Sequence, residues 1–94
     1  MPVTVRLPTV LRRHASGESA VQVDGESVGE VLTNLVNTYP DMSGQVLAED
    51  GQLHRFVNVY LNDDDIRYLE RLETKVSEGD TISILPAVAG GYSN

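Results

Sequence analysis

The chain has 94 residues, a formal net charge of −7 from 14 acidic and 7 basic residues, and no cysteine. This length fits one domain with a modest core, and the acidic balance argues against nucleic-acid binding, which needs clustered lysine and arginine. The lack of cysteine excludes disulfides, thiolate metal sites and a cysteine nucleophile. No apolar run is long enough to cross a membrane and residues 1–5 do not resemble a signal peptide, so we expect a cytoplasmic protein. We also expect it to be a monomer.

The first quarter of the sequence predicts a β-hairpin. Residues 3–7 alternate apolar and polar side chains with period two, and residues 19–24 alternate in the same way. Pro8 ends the first strand. Between the strands, residues 9–14 are expected to form a helical turn that points Val10 and Leu11 inward.

An amphipathic helix follows the hairpin. Ser27 and Glu30 match a capping box, in which the serine oxygen accepts a free backbone N–H and the glutamate reaches back to the cap. Apolar residues then recur at offsets of three and four, as on one buried helix face: Val28, Val31, Leu32, Leu35, Val36 and Tyr39. Pro40 ends the helix, because the residue before a proline is disfavoured in helical geometry.

The second half of the sequence predicts three more strands. They are residues 56–61, a short edge strand at 66–69 after an acidic turn at 62–65, and a last strand at 81–85; a short helical turn is expected at 45–47. The order of elements predicts an α+β domain with a mixed sheet of four or five strands and one main helix. If the last strand lies parallel beside the first, the arrangement is a β-grasp fold and the C-terminal tail projects from one end of the sheet.

Patterns typical of an active site are missing. His14 and His54 do not have metal-ligand spacing, and the acidic residues 63–65 lack the glycine and distal glutamate of a calcium loop. No serine lies in a nucleophile elbow, and Gly90-Gly91 does not lead into a helix as a phosphate loop would. The sequence therefore predicts no catalytic residue and no metal site.

The chain end carries the most informative motif. The last predicted strand stops at Pro86 and leads through small residues to Gly90 and Gly91, which suggests a domain over residues 1–86 and a flexible tail over 87–94. Glycine has no Cβ, so this pair can enter a narrow channel in another protein. A C-terminal carboxylate can be activated by adenylation with ATP; hydrosulfide then leaves a thiocarboxylate, and an amine leaves an amide. The alternative is an inert tail.

The stretches 53–67, 78–80 and 84–91 resemble the ubiquitin-like sulfur carriers of the MoaD/ThiS family, and most of all the CysO-like branch of that family. The resemblance covers nearly the whole chain and implies a β-grasp fold. It also implies a carrier and not an enzyme: an E1-like, zinc-containing enzyme adenylates the carboxylate of Gly91 with ATP and converts it to a thiocarboxylate, and Gly90 is the spacer. The carrier itself binds no cofactor.

The CysO-like branch further implies the fate of the sulfur. The thiocarboxylate attacks an acceptor made from O-phosphoserine on a pyridoxal phosphate cysteine synthase, and a JAMM-type zinc metalloprotease releases the cysteine. Most members of the family end at Gly-Gly, whereas this chain continues with Tyr92, Ser93 and Asn94. The resemblance therefore implies a pro-form that is cleaved between Gly91 and Tyr92.

Partner enzymes are expected to dock on the open face of the sheet beside the tail, with apolar residues on that face and acidic residues around it. The candidate contact residues are His54, Arg55, Arg67, Pro86 and Val88. One lysine, Lys75, and no cysteine suit a protein that carries an activated acyl group, because few internal nucleophiles could trap it.

Three other functions remain open. The chain could be a ubiquitin-like modifier joined to target proteins through Gly91. It could donate sulfur to molybdopterin, to thiamin or to a secondary metabolite. It could also be a β-grasp binding module whose tail is never processed.

Overall fold

The computed structural model describes residues 2–47, 54 and 57–86. In this part of the chain, two α-helices and five strands are joined by turns and short 3-10 segments. The elements, in chain order, are β1 (Pro2–Arg6), α1 (Thr9–Arg12), β2 (Ala20–Asp24), α2 (Val28–Thr38), β3 (Val57–Leu61), β4 (Asp64–Asp65) and β5 (Thr81–Pro86).

The strands form one mixed sheet in the order β2-β1-β5-β3-β4. β1 pairs antiparallel with β2 and parallel with β5, and β3 pairs antiparallel with β5 and with β4. The parallel register pairs Thr4 with Thr81 and Arg6 with Ser83, so β1 and β5 finish at the same end of the sheet. This is the β-grasp arrangement, and the predicted α+β fold is confirmed.

The core lies between the sheet and α2. Alternate strand residues point inward, among them Val5, Val59 and Ile82, and the inward face of α2 is fully buried at Val28, Val31, Leu32 and Leu35. Each such side chain contributes roughly 1.5–3 kcal/mol when it is removed from water. The apolar residues that alternate along the strands therefore pack against the apolar residues spaced three and four apart on α2, as the sequence patterns predict.

The predicted capping box is confirmed at the start of α2. The backbone N–H of Glu30 donates to Ser27 Oγ at 3.2 Å, and the N–H of Glu26 donates to Glu30 Oε1 at 2.8 Å. The glutamate therefore reaches the residue before the cap instead of the cap itself. At the other end, α2 stops at Thr38, two residues before Pro40, as predicted.

The predicted edge strand at 66–69 is wrong. The edge strand is β4, and Ile66–Tyr68 form a 3-10 turn. The cause is local, since the carboxylate of Asp65 accepts the backbone N–H of Arg67 at 2.9 Å and caps that turn. This side-chain hydrogen bond favours the 3-10 turn over the strand that the residue pattern suggests, and sequence periodicity does not reveal it.

Two further predictions need correction. The helical turn expected at 45–47 lies earlier, as a 3-10 turn over Pro40–Met42; Gly44 then adopts a positive φ of 86°, which interrupts helical backbone before Gln45. In α1, Leu11 is buried as predicted, but Val10 is 54% exposed and does not join the core. Residues 87–94 lie outside the described residues, so the division of the chain at 86 stays a prediction.

Candidate functional site at the tail end of the sheet

The chain reaches its C-terminal segment through the central strand of the sheet. β5 is paired on both sides, with β1 and with β3, and Val57 is the register partner of Pro86. Ile82 and Ile84 anchor the strand in the core. Pro86, the last described residue, therefore ends a strand that is hydrogen-bonded to a neighbour on each side. We call the end of the sheet that contains Val57 and Pro86 the tail end.

A groove of about 680 Å³ opens on one side of Pro86. Its lining comes from the ends of β1 and β5, from α1 and from the start of β2, and includes Arg6, Arg12 and Leu85. The guanidinium of Arg12 is positioned by its Nε, which donates to the carbonyl oxygen of Leu7 at 3.2 Å. The groove therefore combines apolar walls with two arginines.

A smaller hollow of about 240 Å³ also borders Pro86. It is lined by His54, Gln45 and Val57, and it shares Pro8, Val10 and Pro86 with the groove. The backbone N–H of His54 donates to the carbonyl oxygen of Val46 at 2.9 Å. His54 is thus brought beside Pro86, although its role as a partner contact stays a prediction.

Exposed apolar side chains surround the point where β5 ends. Val10 is 54% exposed and Leu85 is 46% exposed, and Pro86 beside them is exposed as well. We call the surface formed by Arg6, Val10, Arg12, Leu85 and Pro86 the tail-exit surface. Exposed apolar residues next to each other are typical of interaction sites, whereas scattered ones are not.

The rest of the open sheet face does not match the expected docking face. Its side chains are mostly polar, such as Thr4, Gln22, Asn58 and Ser83, and the side-chain amide of Gln22 donates to Thr4 Oγ1 at 2.8 Å. The prediction of an apolar face bordered by acids needs correction for the described residues. On this face the apolar exposure is confined to the tail-exit surface, where the charges beside it are arginines; docking on this face stays a prediction.

Arg67 lies apart from this surface. Its Nη2 is 2.9 Å from Asp65 Oδ2, at the edge strand β4, and Asp65 is 9% exposed whereas Arg67 is 58% exposed. The hydrogen bond from Arg67 holds the pKa of Asp65 below its ordinary value, and the same bond raises the pKa of Arg67. The structure therefore brings His54 together with Pro86 but not with Arg67; Arg55 and Val88 lie outside the described residues, and all these contact roles stay predictions.

The expectation that the chain holds no metal stays a prediction. Within residues 2–47, 54 and 57–86, His, Asp and Glu side chains do not gather in groups of three that could hold an ion. The helices in these ranges are all too short or too polar to cross a bilayer.

The sequence-based predictions missed Arg6, Val10, Arg12 and Leu85. A signal for the arginines was present, since residues 1–17 contain no acidic residue although the chain as a whole is strongly acidic. The exposure of Val10 and Leu85 had no comparable signal, because an apolar residue in a strand or helical turn is predicted to be buried.

Known proteins similar to this chain agree closely with one another. The model of the ThiS family matches residues 5–91. Sulfur carrier protein CysO of Mycobacterium tuberculosis is 44% identical over 93 residues, which cover 97% of this chain and 100% of that protein.

Solved structures extend the similarity to the fold. A chain in the crystal structure of the Amycolatopsis orientalis BexX/CysO complex is 45% identical, with a TM-score of 0.85 over 95% of this chain and 99% of that one. The solution structure of small archaeal modifier protein 1 from Methanosarcina acetivorans is 34% identical, with a TM-score of 0.84 over 96% of each chain. The resemblance to ubiquitin-like sulfur carriers, drawn from the residues alone, is thereby confirmed.

Proposed function

This chain belongs to the ThiS family, and from that membership we propose that it is a sulfur carrier protein whose reactive group is the carboxylate of Gly91. Its relatives are named as carriers and not as enzymes. One observation carries the proposal. The central strand of the sheet ends at Pro86, and the family match continues for five more residues and ends at Gly91.

The proposed chemistry takes place in an E1-like, zinc-containing enzyme. A carboxylate oxygen of Gly91 attacks the α-phosphate of ATP and releases pyrophosphate, which leaves an acyl adenylate. Hydrosulfide then attacks the acyl carbon, the C–O bond to AMP breaks, and a thiocarboxylate remains on Gly91. Neither step requires a catalytic side chain from the carrier.

This chain contributes to the reaction through the length and the narrow cross-section of its C-terminal segment. Five residues span at most about 17 Å when extended, so Gly91 can lie that far from Pro86. Gly90 and Gly91 carry no Cβ, so the last part of that span fits a channel that would exclude other residues. The paired strand β5 holds the base of the tail in place while its end reacts.

Tyr92, Ser93 and Asn94 follow the proposed reactive residue, so the carboxyl group of Gly91 is held in a peptide bond to Tyr92. We propose that a JAMM-type zinc metalloprotease cleaves the Gly91–Tyr92 bond and so exposes the carboxylate of Gly91. Among sulfur acceptors we favour a pyridoxal phosphate cysteine synthase acting on O-phosphoserine, because the relative at 44% identity is named CysO. ATP, zinc and pyridoxal phosphate belong to the partner enzymes in this scheme.

Intact mass spectrometry tests the proposal. A chain that ends at Gly91 is incubated with the host's E1-like enzyme, ATP and a sulfide source, and it should gain the mass of one sulfur in place of one oxygen. The chain that retains Tyr92, Ser93 and Asn94 is the control and should stay unchanged until the protease is added. If these three residues stay attached under all conditions in its own host, or if the Gly91-ended chain gains no sulfur, the proposal is refuted.

A second candidate is a protein modifier joined through Gly91 to lysines of other proteins. The similarity to small archaeal modifier protein 1 favours it. It uses the same adenylate, which an amine attacks in place of sulfur. Conjugates of high mass that disappear when Gly91 is deleted would support this function, and their absence from host extracts would count against it.

A further inference from the structure

Charged side chains are divided between the two ends of the sheet. The tail end holds Arg6 at the end of β1, with Arg12 and Arg13 just after it; the exposed carboxylate of Glu18 lies two residues before β2, whose Ala20 pairs with Arg6. The opposite end, where β2 finishes and both α2 and β5 begin, holds Asp24, Glu26, Glu30 and Glu78 around Lys75, and Asp80 directly precedes β5. The register sets this division, because β1 runs antiparallel to β2 and parallel to β5.

The distance between the two ends is large enough to matter in salt. A strand of six residues such as β5 spans roughly 20 Å, whereas charges are screened over about 10 Å at an ionic strength of 0.1 M. A partner that approaches the tail end therefore meets a local positive field, although the net charge of the chain is −7. An acidic partner surface is attracted at this end and repelled at the other.

The arginines of the tail-exit surface are available to such a partner. Within the described ranges, neither Arg6 nor Arg12 forms an ion pair with a carboxylate, in contrast to Arg67 with Asp65. Arg6 is exposed at the end of β1, and Arg12 is fixed at the groove by its hydrogen bond to Leu7. Both line the same groove as the exposed side chain of Leu85.

We propose that the tail-exit surface docks on an enzyme surface with an apolar patch bordered by carboxylates, and that this docking directs the chain tail-first into the active site. The inference rests on the proposed function, because the partner it names is the enzyme that adenylates Gly91. Val10 and Leu85 supply the apolar contact, and Arg6 and Arg12 supply the charge that selects the partner and its orientation. A surface of so few residues suits a transient complex, which a carrier needs in order to move between enzymes.

The charge component is tested with a matched pair of substitutions in a chain that ends at Gly91. Arg6→Glu and Lys75→Glu change the net charge equally at two exposed positions, one at each end of the sheet. Binding to the host's E1-like adenylating enzyme is measured by calorimetry at low and high salt. We expect Arg6→Glu to raise Kd about tenfold and to weaken the salt dependence, and Lys75→Glu to change Kd less than about twofold.

The apolar component is tested with Val10→Ser and Tyr68→Ser. Tyr68 is the matched control because it is 84% exposed yet lies on the 3-10 turn that follows the edge strand β4. We expect Val10→Ser to raise Kd about fivefold and Tyr68→Ser to leave it unchanged. Thermal melting of each variant checks that the fold is intact. We expect little change in Tm, because all four substituted positions are exposed.

The outcomes separate this proposal from the proposed function. Equal effects of Arg6→Glu and Lys75→Glu, no effect of either, or no binding by the unsubstituted chain would overturn the docking proposal. If binding depends on Arg6 but ATP-dependent pyrophosphate exchange never occurs, docking stands and the adenylation of Gly91 is refuted.

Discussion

Gly25 connects β2 to α2, and its replacement by alanine tests how closely the helix packs on the hairpin. A Cβ at this position would lie 2.5 Å from Val31 Cγ2 and 2.8 Å from the backbone nitrogen of Val31. Val31 is fully buried, so its side chain has no free space to move into. The backbone contact is harder still to relieve, because it requires α2 to move away from the sheet.

The expected cost follows from these contacts. Overpacking of a core costs roughly 1–3 kcal/mol, and a contact with backbone places Gly25→Ala near the upper limit, at about 3 kcal/mol. For a domain of this size each kcal/mol lowers the Tm by roughly 4–8 °C, so we expect a decrease of roughly 12–24 °C. Thermal unfolding followed by circular dichroism measures it.

Gly17→Ala is the matched control. Gly17 has a positive φ of 83° and no atom within 4 Å of the added Cβ, so alanine there meets strain without a clash and costs roughly 1–2 kcal/mol. The reasoning is refuted if Gly25→Ala melts within about 4 °C of the unsubstituted protein, or if it is no less stable than Gly17→Ala.

Three further changes test the cap, the core and the ion pair. Ser27→Ala removes the acceptor for the N–H of Glu30 and should lower the free energy of unfolding by about 1 kcal/mol, measured by urea denaturation; an unchanged midpoint would contradict the role of the cap. Leu32→Ala should cost about 2–5 kcal/mol in the same assay because Leu32 is fully buried, whereas the exposed neighbour Thr33→Ala should cost far less, and similar losses would argue against the packing described. Asp65→Asn tests pH dependence: the folded pKa of Asp65 is lowered by Arg67, so its contribution is present above the ordinary aspartate pKa and is lost as the pH falls through the lowered value. The difference in stability between the two proteins should therefore be largest near neutral pH and disappear in acid, and a difference independent of pH would rule out the pair as its source.

Local patterns in the sequence predicted most of the fold correctly. The period-two segments became β1 and β2, and the capping box marked the start of α2 to within one residue. These predictions succeeded because hydrogen bonds and apolar periodicity over ten residues decide them. The edge strand failed because the choice between strand and 3-10 turn depends on a single hydrogen bond from Arg67 to the side chain of Asp65.

The candidate site was likewise predicted only in part from the sequence. The sequence by itself determined the motif Gly90-Gly91 and its position after the last strand, because chain order alone decides which residues come after a strand. Only the tertiary structure decided which side chains surround the exit of that strand. Arg6 and Leu85 lie at opposite ends of the chain, and the parallel pairing of β1 with β5 places them on one groove. Such pairing depends on closing the whole chain around its core, so no local pattern could have shown that a strongly acidic protein presents arginines where its C-terminal segment begins.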